Sequence, residues 1–218
     1  MLYKENITRL IRVYKYMYRG LGVVGIVPVI LLYLVIPVFQ FIGYLNERRT
    51  DILISRIIID MQVFQPLISC FFIMTVVYYF TEHDSEESIR FLFGKHVKLV
   101  CFSVFVYYIV LIPEAIVYAI LFGSEMIICE IRVFIDVLFL SAVGLYISEY
   151  INSIGISVFF YVFYSGLCYF EVILNKNYSF FSWNNSNIKN MFIESLPYLI
   201  SGIIIYFFQL WKSDRLAS

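Results

Sequence analysis

Six stretches of predominantly apolar residues, at about 21–45, 61–80, 97–122, 131–150, 154–174 and 196–211, constrain this chain more than anything else in it. Crossing the hydrocarbon core of a bilayer takes roughly 20 apolar residues in a helix, and each stretch approaches or exceeds that length. A lipid-embedded backbone must satisfy its own polar groups, which helices do within one segment. The expected fold is therefore an all-α integral membrane protein with six transmembrane helices. Composition agrees: 61% of the 218 residues are hydrophobic and 15% charged, against about 45–50% and 25% in soluble domains. Once the spans are assigned, the rest of the chain is divided among seven tails and connections. That leaves no room for a soluble catalytic domain, so residues 1–218 read as one transmembrane domain.

The N-terminal segment 1–20 has a different pattern. Tyr3, Ile7, Leu10, Ile11, Tyr14, Met17 and Tyr18 recur at three- and four-residue intervals, with Lys4, Arg9, Arg12, Lys15 and Arg19 on the remaining surface. This spacing predicts an amphipathic helix lying in the headgroup region of an anionic leaflet. The apolar run that follows is too long for a signal peptide and has no A-x-A-like cleavage site, so this end is expected to be retained. Lysine and arginine counts orient the chain. With the N-terminus inside, the inner segments hold ten basic residues; the outer ones hold six, namely Arg48, Arg49, Arg56, Arg132, Lys176 and Lys189. Both termini are thus expected to be cytoplasmic, in a multi-pass protein of the cell membrane. Formal net charge is zero, with 16 basic and 16 acidic residues, which argues against a nucleic-acid partner.

Polar residues inside the spans mark candidate sites. Pro28 and Pro37 interrupt the first span, where proline kinks a helix and frees a carbonyl. Glu114 lies in the third span and Asp136 a turn or so inside the fourth. A carboxylate at mid-bilayer costs roughly 2.5–3.5 kcal/mol on insertion scales, so such groups face protein, water or a partner. The pair reads as an interfacial or ion-paired structural feature, with Arg132 as counter-charge, or as an intramembrane proton or cation site. On the fifth span Ser153, Ser157, Tyr161, Tyr164, Cys168 and Glu171 share one face. That stripe fits close helix packing or the lining of a translocation path, the latter through Ser157, Tyr161, Tyr164 and Cys168. Ser141, Gly144 and Ser148 form a similar stripe on the fourth span, where packing is expected. Cys70, Cys101, Cys129 and Cys168 are isolated in apolar runs, which fits neither a disulfide framework nor a zinc site.

Outside the spans, the most informative segment is TEHDSEESIRFLFGKHVK, residues 81–98. Asp84 with Glu87 has capping-box spacing, Glu86 and Glu87 suit a first helical turn, and Gly94 suits a stop. A short cytoplasmic helix over 85–93 is predicted, with Ile89, Leu92 and Phe93 as apolar knobs. It fits a helix resting on the membrane surface or one that docks into a groove on a partner.

Together with the ending ESLPYLISGIIIYFFQLWKSDR, the amphipathic start, the six spans and this acid-start helix resemble the permease subunit of an ABC-2 type transporter. The resemblance covers nearly the whole chain as an architecture. It implies that 81–96 is a coupling helix, with Glu86, Glu87, Ile89, Arg90, Leu92 and Phe93 docking an ATPase, and that 1–20 leans on the same subunit. It implies a cytoplasmic ATP-binding-cassette partner carrying ATP and Mg²⁺, and a second permease chain, identical or related. The outer connection 175–195, with Phe180, Phe181 and Trp183 amid asparagines, would dip back into the membrane. The implied activity is export of a hydrophobic or amphipathic solute: peptide, antibiotic or lipid-like.

An enzymatic reading fails on inventory. His83 and His96 are the sole histidines, there is no H-E-x-x-H, and there is no G-x-x-x-x-G-K-[ST] for ATP. EESIR, residues 86–90, is one residue short of the E-E-x-x-x-R of membrane-embedded CAAX-type proteases. Neither a catalytic residue nor a metal or other cofactor is expected in this chain. The alternatives are the membrane subunit of an importer, a secondary carrier, or a non-transporting immunity or scaffold protein.

Overall fold

The computed structural model describes residues 8, 11, 12, 15, 19, 22–47, 53–54, 57–58, 60–70, 73, 96–151, 153–169 and 188–215. Among these residues nearly all are helical and none is in a strand. The helices are α1 (Val23–Ile30), continued through a π-turn (Leu31–Val35) into α2 (Ile36–Glu47), then α3 (His96–Phe122), α4 (Glu125–Ile151), α5 (Ile154–Tyr169) and α6 (Ile188–Arg215). Residues 60–70 are helical as well. Among the described residues, three stretches are long and apolar enough to cross a membrane: Gly25–Gly43, Leu99–Phe122 and Ile193–Lys212.

Local chemistry explains the breaks. Gly22 has φ 53, a left-handed conformation that glycine adopts without strain, and its N–H bonds the Arg19 carbonyl at 3.2 Å. Helical residues 11, 12, 15 and 19 before it are exposed. The wide turn at Leu31–Val35 lies between Pro28 and Pro37. Pro37 has no N–H to give to the carbonyl of Tyr33 four residues back, and just before it the Ile36 N–H bonds Leu31 five residues back. A π-turn of this kind absorbs the lost bond without breaking the helix. Gly123, at φ 100, ends α3; its N–H bonds the Ala119 carbonyl at 3.0 Å, and α4 starts within two residues. That tight link makes α3 and α4 an antiparallel hairpin.

The hydropathy reading of the helix ends changes in two places. The connection before the fourth span was expected to run to residue 130, but α4 begins at Glu125 and carries Glu130 and Arg132 into the protein. Arg132, counted above among outer-loop charges, is 2% exposed. Likewise α6 begins at Ile188, so the last part of the expected 175–195 connection is helix. In both cases charged residues pull the hydropathy average down, while partners inside the bundle let them stay in the helix.

Helix α4 is the hub, packed against α3, α5 and α6. Its side chains are buried on nearly every side, from Met126 and Val133 through Leu140 to Leu145. Helix α6 approaches it closely at Gly202, where a Cβ would lie 2.9 Å from Leu138 Cδ2 and 3.1 Å from Phe139 Cα. Only a residue without a side chain lets the two backbones come this near. Tyr198 reaches across the same interface and meets Phe139 edge-on, ring centroids 5.4 Å apart.

Polarity is distributed unlike a soluble domain's, with several polar side chains set into an apolar core and apolar ones on the outside. Gln40, Gln65, Glu114, Glu130, Arg132 and Asp136 are buried, whereas Phe39, Phe105, Ile116, Ile120, Ile204 and Phe207 face outward. Water-soluble monomers rarely carry contiguous apolar patches above about 300–600 Å², and here apolar side chains cover the outer faces of the first span, α3 and α6. Lipid is the solvent that such a surface requires. The described residues thus form a helical protein with the surface and the long apolar helices of a membrane protein.

Candidate functional site

The groups of chemical interest lie along α4 and the elements that face it. Toward α6, Arg132 Nη1 donates to Glu194 Oε2 at 3.1 Å, a pair with Arg132 buried and Glu194 30% exposed. Four residues on, one helical turn away, Asp136 lies within the field of Arg132. Its two carboxylate oxygens have no hydrogen-bond donor among the described residues. Lower on α4, the Ser141 and Tyr206 hydroxyls share a hydrogen bond of 2.6 Å, again tying α4 to α6.

Toward α3 and residues 60–70 the arrangement differs. Gln65 Nε2 donates to Glu130 Oε1 at 3.3 Å, and Tyr107 Oη donates to the Gln65 carbonyl at 3.0 Å. Tyr118 Oη donates to Gln40 Oε1 at 2.6 Å, joining α3 to α2. Tyr33, in the π-turn, donates its hydroxyl to the Val110 carbonyl, one turn before Glu114. Glu114 itself has Gln65 and Tyr118 as polar neighbours, yet neither of its oxygens has a hydrogen bond among the described residues. The second oxygen of Glu130 and the amide oxygen of Gln65 are equally without a donor. Glu114, Glu130 and Gln65 are 5%, 3% and 1% exposed.

The fifth-span stripe is an interhelical seam where it can be described. Ser157 Oγ donates to the Gly144 carbonyl at 3.0 Å, and the Tyr161 hydroxyl donates to the Leu140 carbonyl. Both side chains are buried against α4. Tyr164 stacks on Phe160 of its own helix, centroids 5.8 Å apart, and Cys168 follows in the same helix. On α4 the Ser141, Gly144 and Ser148 stripe meets its neighbours as packing predicts: Gly144 receives Ser157, Ser141 meets Tyr206, and Ser148 bonds back to the Leu145 carbonyl at 2.8 Å.

Glu114 and Asp136 are thus both interior, but they belong to different surroundings. Arg132 stands beside Asp136, as anticipated, and its hydrogen-bonded ion pair is with Glu194. Glu130, Gln65 and Gln40 complete the Glu114 side and were not singled out from the sequence. A lone glutamine in an apolar run, at 40 and at 65, was the available signal. The docking residues Glu86, Glu87, Ile89, Arg90, Leu92 and Phe93 lie outside the described residues, as do 175–187 and Glu171. Among the described residues, no group of three or more His, Cys, Asp or Glu is placed to hold a metal ion.

Compared with families of known proteins, with curated proteins and with solved structures, the chain matches none.

Proposed function

We propose that this chain is the permease subunit of an ATP-driven exporter, a six-span protein of the cell membrane with both termini cytoplasmic. A separate cytoplasmic ATPase, of the ATP-binding-cassette type, supplies ATP hydrolysis with Mg²⁺, and two permease chains face each other across the path of a hydrophobic or amphipathic solute. The observation that carries this reading is the acid-start segment 85–93, on the same predicted side as the basic amphipathic start. The apolar exterior and the polar interior built around α4 support a membrane-embedded unit whose helices shift against one another. ATP-driven closure of the ATPase pair would push on residues 85–93 and alternate access to the path. Such a push has an effect only if the partner binds the two permease states unequally.

The test is co-purification. The full-length chain, expressed with the ATPase encoded beside it, is expected to copurify in detergent, and the E86K/E87K/R90E variant is expected to lose the ATPase while keeping its own fold. Undiminished assembly of that variant would remove the docking assignment. Absence of any ATPase partner for the wild-type chain would remove the exporter reading itself.

A further inference from the structure

The interior cluster on the α3 side of α4 has a specific chemical shortage. Glu114 Oε1 and Oε2, Glu130 Oε2 and Gln65 Oε1 are four buried oxygens without a donor among the described residues. All four are acceptors, and they belong to side chains that neighbour one another: Gln65 holds Glu130 at 3.3 Å and lies beside Glu114, and the two carboxyls fall within each other's field. Among the described residues, the titratable groups near them bring no positive charge. They are Tyr33 from the first span, Asp60 from the segment before α3, Tyr107 and Tyr118 from α3, and Cys129 on α4. Arg132, two residues beyond Glu130, is drawn instead to Glu194.

Two ionised carboxylates cannot share a dry site without a compensating positive charge, because each isolated charge is heavily penalised in low dielectric and their mutual repulsion adds to it. A proton on one of them removes the repulsion and one of the two burial penalties, leaving a single carboxylate to be held by the Gln65 amide. It neutralises one carboxylate and turns one acceptor into an O–H donor, which a surplus of acceptors can use. Gln65 is the independent sign that something is missing: its amide nitrogen is engaged in the cluster while its oxygen, in a side chain 1% exposed, has no donor.

We propose that Glu114, Gln65 and Glu130 form an interior proton-binding site in which Glu114 carries the proton and the Gln65 amide oxygen accepts its O–H. Gln65 then bridges a neutral acid and an ionised one, with its N–H₂ on Glu130. Binding is a simple transfer: a proton from solvent forms the O–H of Glu114, no other bond changes, and release returns it. The site needs no nucleotide and no metal. It is independent of which partner drives the chain.

Infrared spectroscopy of the full-length protein in lipid nanodiscs, with ¹³C-carboxyl-labelled glutamate, tests this directly because the label separates glutamic acid from Asp136. At neutral pH in sodium-free buffer a labelled, protonated-carboxyl band is expected, and it should persist when sodium or potassium chloride is added. Q65L is expected to move the band to higher frequency, as the O–H loses its acceptor, and E114Q/E130Q to abolish it. A spectrum with no such band in the wild type would overturn the proposal. So would a band undiminished in the double variant, or one that sodium or potassium bleaches, which would give the site to a metal cation. Should the double variant fail to assemble, alkaline titration of the wild type still decides, since a buried proton must leave as its band bleaches.

Discussion

Glu130 and Arg132 are two residues apart on α4, roughly 200° around the helix, and they face different worlds. On the α6 side, the Arg132 charge is met by Glu194, a glycine lets the backbones close, and Ser141 finds Tyr206. On the α3 side, glutamine and tyrosine are the polar neighbours of the Glu130 and Glu114 carboxyls, and several acceptors have no donor among the described residues. Arg132, Glu130 and Glu114 are all buried, while Glu194 is partly exposed. The difference teaches that burial alone does not define the role of an intramembrane charge; the balance of donors and charges around it does. The α6 side has the composition of a clamp, and the α3 side that of a site which takes something up.

Breaking the clamp should have the largest effect. R132M removes the cation from Glu194 and from the neighbourhood of buried Asp136, and splitting a buried pair costs about 3–5 kcal/mol. Because Glu194 is partly exposed, the lower end is expected, read as a large drop in thermal midpoint in detergent. R132M/D136N should recover part of that loss, since the variant no longer buries an unanswered carboxylate. Next comes G202A, whose added methyl would collide with Leu138 and Phe139; overpacking of this kind costs about 1–3 kcal/mol. Y161F should cost less, near the roughly 0.6 kcal/mol typical of interhelical hydrogen bonds in membrane proteins.

The α3 side should answer with a smaller change. E114Q keeps the shape of the side chain and, like the protonated acid it replaces, is neutral and can donate to Gln65, so stability should change by less than about 1 kcal/mol. A loss as large as that of R132M would erase the distinction between the two sides.

Much of the helical frame was legible before any coordinates, because hydropathy is a one-dimensional signal. The third span was expected over 97–122 and α3 is His96–Phe122. Glu114 and Asp136 stand out in the sequence as carboxylates within or near apolar runs, and both side chains are buried. Pairing was not legible. Arg132 looked like a loop charge because hydropathy averages cannot know that Glu194, 62 residues away, turns inward to meet it. Glu130 was lost at a helix boundary for the same reason. Gln40 and Gln65 meant little singly; their significance lies in which carboxyl or hydroxyl the packing brings to them. The π-turn was half visible in Pro28 and Pro37, which predicted a disturbance without giving its register.

The account rests on an inside-out protein, with lipid at its surface and charge at its centre. Single nitroxide labels on the full-length protein in liposomes, with native cysteines replaced, measure this through collision with oxygen and with a water-soluble nickel chelate. Labels at Phe105, Ile116, Ile204 and Phe207 should meet oxygen freely and the nickel chelate scarcely, while labels at Val137 and Leu140 on α4 should meet neither. Free collision of the nickel chelate with the four outward positions would mean that water covers those faces, and would contradict the account.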